Sequence, residues 1–411
     1  MDARSDNTQT APQTHDVGGI RLDRPFRIRR LGHFGYNVMD VEACLPFYTD
    51  LLGLAISDSI DFGRIFELDE KEVGSGVGYL FRHGTDHHSF VVFPKRALDA
   101  RPGRPPIPDE VTINQITWQV GSLREVVDAT AWFARQGTEM TRQGRDVPGS
   151  NWHVYPLGPD RHINELYYGI EQIGWNGHSK PKSMYGIRYE APPELPHISE
   201  FQEVEKALAD GVDVDEGQRH RDQGEAVYDV GGILLARPFK ITGMGPVRLF
   251  VDDMAASLAY YRDRLGLTLS EEVIWQGHRC HFLRANTEHH SLALYPKALR
   301  AELGLSPHTT LMAYGMRVAD YGQLRAAITF LGGKGVGLKY LPPELFPGID
   351  YSVLAIDPDG HAIQLYYYME QIGWDGRPRP PGQRRQVDNQ NWPETLEPLS
   401  DTHMGEVFLG P

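Results

Sequence analysis

A histidine and a glutamate, His33 and Glu165, are the residues whose types and positions point most directly to chemistry. His33 is replaced by Pro246 in a second copy of the surrounding sequence, and Glu165 is replaced by Gln364. Three segments occur twice, in the same order: 16–38 and 229–251, 86–95 and 288–297, 164–177 and 363–376. A residue kept in both copies is explained by the shared fold, whereas a residue present in one copy needs another reason. Because imidazole and carboxylate groups bind metals and carry protons, the two substitutions predict a reactive site in the first copy alone.

Other histidines occur in both copies and are weighed differently. The pair 87–88 is repeated as 289–290, and His162 is repeated as His361. We therefore predict that His162 and His361 serve the fold, and that the paired histidines do so in part.

The composition is that of a soluble protein with two domains. The chain has 411 residues, 40% of them hydrophobic, and its repeats are each large enough to bury a core. The formal charge of -14 argues against nucleic-acid and anionic-membrane partners, since it lacks the excess of Lys and Arg that neutralises phosphates. Two cysteines are too few for a disulfide framework or a thiolate metal site. Without an apolar run of membrane-spanning length or an apolar signal core, a cytoplasmic location is expected.

Apolar periodicity predicts one unit four times: a strand, a helix and three further strands. The first unit begins with an alternating strand that places His33, Gly35 and Asn37 on one face. Its helix begins at the N-cap Asp40 and ends near Gly53. The four units lie near residues 28–100, 110–170, 243–300 and 310–370.

Paired units define two domains, and polar segments flank and separate them. The predicted boundaries are 1–27 for an N-terminal tail and lead-in, 28–192 for the first domain, 193–228 for a linker with one short helix, 229–383 for the second domain and 384–411 for a C-terminal tail. The tail is expected to be irregular and to pack on the surface or on a second subunit.

Four units paired in this way resemble the vicinal oxygen chelate superfamily, which includes glyoxalases, fosfomycin-resistance proteins and the type I extradiol ring-cleaving dioxygenases. The resemblance covers nearly all of 28–376 and is closest to the extradiol type. Segment 31–54 is similar to the first strand and helix of the extradiol catalytic domain, and segment 86–90 is similar to its double-histidine strand. The resemblance implies an α+β fold of two tandem domains. Each would contain two paired βαβββ units that form a U-shaped sheet around a cavity, with one divalent metal inside.

The same resemblance implies a ligand set for the metal. His33 falls on the first-strand ligand position and Glu165 on the last-strand carboxylate position. Gln115 stands where extradiol enzymes carry a second histidine, so it is the third expected ligand. Two alternatives stay open, because Gln115 is equally explained as an amide that lines the cavity, and His88 would also complete the set.

Further residues are expected to act beside the metal. His88 matches the acid–base histidine of the extradiol family. Tyr155, ten residues before Glu165, has the spacing of the family's active-site tyrosine. Asp146 replaces another histidine of the family, and His153 is expected to compensate for it at the substrate.

The resulting functional hypothesis is a metal-dependent, extradiol-like dioxygenase that uses O2 and a catechol-type aromatic substrate. Fe(II) is the expected cofactor, with Mn, Ni or Zn as alternatives, and a homo-oligomer is usual for the resemblance. A non-redox lyase, isomerase or hydrolase of the glyoxalase type is the first alternative, and a non-catalytic binding protein is the second. The second domain is expected to bind no catalytic metal, which inverts the usual extradiol arrangement.

Overall fold

The computed structural model describes residues 14–103, 107–145, 149, 151–185, 189–373 and 375–397. The first repeat has ten strands: β1 (His15–Val17), β2 (Ile20–Leu22), β3 (Ile28–Val38), β4 (Ala55–Asp61), β5 (Val77–Arg82), β6 (Phe90–Pro94), β7 (Ile113–Val120), β8 (Met140–Gly144), β9 (Trp152–Pro156) and β10 (Asn164–Tyr168). The second repeat has ten more: β11 (Tyr228–Val230), β12 (Ile233–Leu235), β13 (Ile241–Val251), β14 (Thr268–Trp275), β15 (His278–Arg284), β16 (Leu292–Pro296), β17 (Leu311–Val318), β18 (Gly337–Lys339), β19 (Ser352–Ile356) and β20 (Ala362–Tyr366).

The helices are short in comparison with the sheets that they cover. They are α1 (Val41–Pro46), α2 (Phe62–Ile65), α3 (Glu70–Val73), α4 (Lys95–Asp99), α5 (Leu123–Arg135), α6 (Glu200–Ala209), α7 (Met254–Leu258), α8 (Leu299–Glu302) and α9 (Tyr321–Gly333). None of the helices in the described ranges is both long and apolar enough to cross a membrane.

Each repeat forms one eight-stranded mixed sheet, and the two sheets have the same topology. The strand order is β4-β5-β6-β3-β7-β10-β9-β8 in the first and β14-β15-β16-β13-β17-β20-β19-β18 in the second. In each repeat two four-stranded halves join where the long first strand pairs antiparallel with the first strand of the other half, β3 with β7 and β13 with β17. The predicted fold class, α+β with two tandem domains of paired units, is confirmed.

The first helix differs from the continuous helix predicted from Asp40 to Gly53. Asp40 caps α1 as expected, but α1 ends at Pro46 and a π-helical turn follows over Phe47–Leu51. A π-helical turn also follows α7, over Ala259–Arg264, where the chain has no proline. The wider turn therefore belongs to the shared fold, and the missing N–H of a proline is not its cause.

The two domains contact each other through equivalent surfaces. Nε2 of His162 is hydrogen-bonded to Oγ1 of Thr310 at 2.9 Å. Nε2 of His361 is hydrogen-bonded to Oγ1 of Thr112, also at 2.9 Å. Each histidine thus reaches from its own domain to the threonine at the same place in the other domain.

The linker and the described part of the tail pack on the domains beside them. In the linker, α6 places Glu203 against Arg145 of the first domain, with 3.0 Å between Oε1 and Nη1. In the tail, Nη2 of Arg384 lies 2.6 Å from Oε2 of Glu271 in the second domain. The described tail therefore packs on its own chain.

Candidate active site

A cavity of about 220 Å³ lies in the first domain, and strands from both halves of the sheet line it. One wall is apolar and includes the short helix α2: Ile60, Phe62, Ile65, Phe66, Leu80, Val91, Phe93 and Leu98. The polar lining includes His33, Asn37, His88, Asn114, Gln115, Arg142, Asn151, Tyr155 and Glu165. The sheet of the first domain therefore wraps around a pocket with one apolar and one reactive side.

His33 enters the pocket from an irregular point in β3. The pairing of β3 with β7 changes register between Leu31 and Phe34, and a bulge of this kind redirects a side chain. Thr117 fixes the backbone there, because its Oγ1 accepts from the N–H of His33 at 2.6 Å and donates to the carbonyl of His33 at 2.5 Å. The second domain has the matching register change around Pro246, so the fold keeps the bulge and only the first copy uses it for an imidazole.

Glu165 meets His33 inside the cavity. Its Oε2 lies 3.0 Å from Nε2 of His33, and its Oε1 lies 3.8 Å from Nδ1 of His153. Only 1% of Glu165 is exposed, and this burial by itself raises the pKa of the carboxyl. The charge and hydrogen bond of His33, the charge of His153 and a hydrogen bond from Tyr155 outweigh it and hold the pKa below its ordinary value. The carboxylate is therefore ionised at neutral pH.

The spacing of these two donors fits a metal ion. Two ligand atoms bound at 2.0–2.2 Å and at right angles lie about 3.0 Å apart. Nε2 of His33 and Oε2 of Glu165 have this separation. A buried carboxylate beside an imidazole is also the donor chemistry that Fe(II), Mn(II) and Zn(II) share.

Gln115 and Tyr155 extend the reactive wall. The hydroxyl of Tyr155 lies 3.4 Å from Oε1 of Gln115 and accepts from Nη2 of Arg142 at 2.7 Å. The guanidinium of Arg142 also lies over the tyrosine ring, 4.1 Å from its centroid. The structure thus brings the Gln115 amide and the Tyr155 hydroxyl to the same cavity as His33 and Glu165.

His88 lies beside His33 but outside the proposed ligand pair. Their ring centroids are 4.3 Å apart. Burial, followed by the nearby His33 and His87, lowers the pKa of His88 well below its ordinary value, so its ring is neutral at physiological pH. Among the described residues, the single group of three His, Cys, Asp or Glu side chains with ligand atoms within 4.8 Å of one another lies elsewhere. His88 thus does not form such a group with His33 and Glu165, and the choice between Gln115 and His88 as the third ligand stays a prediction.

His88 belongs to a short chain of polar contacts that the sequence did not reveal. Its Nδ1 lies 3.1 Å from Nδ1 of His87, whose Nε2 lies 3.9 Å from Oδ2 of Asp58. In the second domain Nδ1 of His289 and Nδ1 of His290 are 3.0 Å apart. The paired rings are thus part of the common fold, as the repeat predicts.

The second domain holds a buried arginine at a position where the first domain has a glycine. Arg248 stands where the first copy has Gly35 and is fully buried. Its Nη2 lies 3.1 Å from Nε2 of His290, and its guanidinium lies 5.0 Å from the centroid of the Phe346 ring. Gly35 has no room for a side chain, since a Cβ there would lie 2.0 Å from Cγ2 of Val91. The second domain therefore lacks the imidazole and the carboxylate of the first copy and holds a buried guanidinium beside one of its paired histidines.

Two predicted substrate residues have different outcomes. His153 is buried next to Glu165, at the 3.8 Å given above, and therefore lies behind the carboxylate. Asp146 lies outside the described residues, so its role stays a prediction.

Arg142 was not predicted from the sequence, because β8 has no apolar alternation to show which of its side chains face inward. The repeat would have identified Arg248, since a glycine and an arginine occupy the same place in nearly identical strands.

Fold and site together define the family. The model of the Glyoxalase/Bleomycin resistance protein/Dioxygenase superfamily matches residues 30–166 and 243–365, which is more than half of the chain. The chain belongs to this superfamily, as the resemblance predicts. Among curated proteins, it is 31% identical over 135 residues to the 2,2',3-trihydroxybiphenyl dioxygenase of Sphingomonas paucimobilis. That match covers 32% of this chain and 44% of the relative, so it spans less than half of the relative's length.

Solved structures share the architecture at low sequence identity. The 2,3-dioxygenase LapB from Pseudomonas sp. KL28 aligns with a TM-score of 0.54 and 15% identity, over 86% of this chain and 96% of that one. The Mn(II)-bound glyoxalase from Novosphingobium aromaticivorans aligns with a TM-score of 0.51 and 15% identity, over 85% of both chains. Homoprotocatechuate 2,3-dioxygenase from Brevibacterium fuscum, in complex with 3,4-dihydroxyphenylacetate, gives a TM-score of 0.53 and 14% identity, over 86% of this chain and 85% of that one. At these identities the alignments establish the fold alone.

Proposed function

We propose that this protein is a metal-dependent, extradiol-type dioxygenase that cleaves the ring of an aromatic substrate with two vicinal oxygens. The observation that carries the proposal is the two-sided cavity. Its apolar wall suits an aromatic ring, and its reactive wall places an ionised Glu165 against His33 at the separation of two ligands of one metal. The name of the Sphingomonas relative, a trihydroxybiphenyl dioxygenase, supports the same substrate class.

His33, Glu165 and Gln115 would hold the metal. Fe(II) is the ion that we propose, because ring cleavage by O2 needs an ion that exchanges electrons as well as a Lewis acid. Bound there, the metal would act as a Lewis acid towards the two substrate oxygens and would exchange electrons with O2.

The other residues of the wall move and hold protons. His88 is neutral, so it has a free lone pair to accept the proton of a substrate hydroxyl, and it can return that proton later. The Tyr155 hydroxyl has a fixed direction because Arg142 donates to its oxygen, which leaves the O–H to donate into the site. Phe62, Phe66 and the strands behind them exclude water from the ring.

Anaerobic reconstitution with Fe(II) tests the proposal directly. Apo protein loaded with Fe(II) is mixed with catechol, 3-substituted catechols and 2,3-dihydroxybiphenyl, and O2 consumption is followed together with visible absorbance. We expect one O2 per substrate and a coloured ring-fission product. Glu165→Ala should abolish both, while Gln364→Ala, at the same place in the second domain, should leave both unchanged.

A separate test addresses proton transfer. His88→Phe removes the acceptor without touching the proposed ligands, so it should lower kcat by roughly 10²–10⁴-fold at unchanged metal content. Equal kcat in parent and His88→Phe proteins would assign His88 to the fold alone, as the presence of His290 suggests.

The neutral donor Gln115 favours a second candidate, a non-redox reaction of the glyoxalase type. An amide gives weaker ligation than imidazole, and one structural neighbour is a glyoxalase that binds Mn(II). In this case the protein would act on a carbonyl or thiol-adduct substrate with Mn, Ni or Zn and without O2. Activity of the Mn(II) form under strict anaerobiosis would replace the dioxygenase proposal with this one.

A further inference from the structure

A second cluster of metal-ligating groups lies where the domains meet, outside the cavity. His308, Asp359 and His361 form the one group of three within the described residues whose ligand atoms all lie within 4.8 Å of one another. Oδ2 of Asp359 is 3.7 Å from Nε2 of His308 and 3.7 Å from Nδ1 of His361. These gaps are too long for hydrogen bonds, so the three atoms face one another across an open space.

Each of the three atoms lacks a hydrogen-bond partner among the described residues: Nε2 of His308, Oδ2 of Asp359 and Nδ1 of His361. His361 is fully buried, which makes an unpartnered ring nitrogen there unfavourable. One third of the His308 side chain is exposed, so an ion can enter from the solvent side.

The other nitrogen of each histidine is already held. Nδ1 of His308 is hydrogen-bonded to Oγ of Ser306, and Nε2 of His361 is hydrogen-bonded to Oγ1 of Thr112 at 2.9 Å. Ligating histidines almost always have such an outer partner, which fixes the ring and directs the free nitrogen at the metal. The free nitrogen of each ring therefore lies near Oδ2 of Asp359. That of His361 lies equally far, 3.7 Å, from Oδ2 of Asp357, which already accepts from the Tyr48 hydroxyl.

The equivalent aspartate in the first repeat serves as a comparison, because neither of its carboxylate oxygens is without a hydrogen-bond partner. Asp160, the equivalent of Asp359, accepts from Oγ of Ser257 at 2.8 Å, so both of its partners are in place. Asp359 instead faces Cys44 of the first repeat, which stands at the position equivalent to Ser257, and a thiol is a weak donor. Oδ1 of Asp359 still accepts from the N–H of Met39 at 3.1 Å, but Oδ2 has lost its partner.

The third ligand also differs between the repeats. His308 occupies the position equivalent to Glu110. Glu110 forms ion pairs across the contact between the domains, with Lys297 and, at 2.8 Å, with Arg300. Two differences between the repeats, Cys44 for Ser257 and His308 for Glu110, thus separate the two clusters. In one, the carboxylates have hydrogen bonds and ion pairs. In the other, two imidazoles and a carboxylate have no hydrogen bonds to one another.

We propose that His308, Asp359 and His361 bind a zinc-type divalent transition-metal ion at the contact between the domains. An ion 2.0–2.2 Å from three such donors requires donor separations of about 3.3–3.8 Å, which includes both 3.7 Å distances. A water molecule completes the coordination on the exposed side. Because His361 contacts Thr112 of the other domain, the bound ion stabilises the contact between domains and is independent of the cavity.

The test is a comparison of metal stoichiometry between paired variants. Chelator-treated protein is titrated with Zn(II), and separately with Co(II), whose visible absorption reports a low-coordinate site with nitrogen and oxygen ligands. Asp359→Asn keeps the acceptor for Met39 but removes the ligand charge, and Asp160→Asn makes the equivalent change in the first repeat. We expect Asp359→Asn and His308→Gln each to bind one equivalent fewer than the parent, and Asp160→Asn to bind as many as the parent.

Two further measurements separate this site from the one in the cavity. The loss of one equivalent should persist when the same substitutions are made in Glu165→Gln protein. In Glu165→Gln protein, added Zn(II) should also raise the unfolding temperature by several degrees, and this rise should disappear when Asp359→Asn is added. Equal stoichiometry in parent, Asp359→Asn and His308→Gln proteins would overturn the proposal and leave a water-filled cluster in its place.

Discussion

Replacement of Glu165 by glutamine is the most direct test of the cavity as a metal site. The substitution keeps the shape of the side chain and still offers His33 an oxygen to donate to. It removes the negative charge, which the structure places in a nearly closed environment only 1% exposed. Glu165 is also the sole charged member of the proposed ligand set, because His33 and Gln115 offer neutral donors.

The size of the effect follows from these facts. Loss of an outer hydrogen-bond partner of a ligand typically weakens metal binding 10–100-fold. Loss of the only charged ligand should reach at least the upper end of that range, about 100-fold or about 2.8 kcal/mol. The metal-free protein should change by no more than about 1 kcal/mol, because the hydrogen bond from His33 is weakened but not lost.

Mn(II) is the suitable probe because it does not oxidise during the measurement. Free Mn(II) is followed by electron paramagnetic resonance during titration of metal-free parent, Glu165→Gln and Gln364→Ala proteins, and urea unfolding checks the fold of each. The parent and Gln364→Ala should bind with the same affinity. A Glu165→Gln protein that is folded and binds Mn(II) as tightly as the parent would refute the assignment of the metal to this cavity.

Three further predictions concern stability. Burial lowers the pKa of His83 to about 4, so the unfolded chain binds more protons than the folded chain between pH 4 and 6.5. The midpoint of urea unfolding should therefore fall as the pH decreases from 6.5 towards 4, and it should fall less in His83→Gln protein. Gly35→Ala should lower the free energy of unfolding by about 1–3 kcal/mol, because the new methyl group clashes with Val91. Unfolding followed by circular dichroism would measure this loss, and an activity assay would measure the damage to the site. Phe34 stacks on Tyr314 of the other domain, with 4.4 Å between the ring centroids. Phe34→Ala should therefore lower the free energy of unfolding in urea by about 3–5 kcal/mol. An unchanged midpoint would show that other contacts hold the domains together.

The sequence predicted which residues lie together in the cavity, because the repeat and the strand pattern carry that information. Period-two alternation placed His33 on the same face as Asn37, and both line the cavity. The family spacing placed Gln115 and Tyr155 on the same wall. Strand register is strongly specified where one face is buried, so these positions follow from the pattern.

What the sequence did not predict depends on packing between distant segments. The conformation of 62–78 was unreadable, and in the structure its helix α2 supplies part of the apolar wall. Arg142 reaches Tyr155 from a strand without alternation, and the contact of Arg248 with His290 depends on the direction of a long side chain. His361 was predicted to serve the fold, and its bond to Thr112 agrees, but its free nitrogen became visible only with Asp359 beside it.

The reciprocal contacts of His162 with Thr310 and of His361 with Thr112 have the geometry of a two-fold dimer interface made within one polypeptide. In a dimer of identical chains every substitution appears twice, so an inactivating arginine would remove both active centres at once. When a linker joins the two copies in one chain, a substitution changes one domain and leaves the other as it was. In this chain one repeat carries the buried Arg248, while the other carries the cavity with His33 and Glu165. A tandem repeat thus allows two similar halves to take unequal tasks.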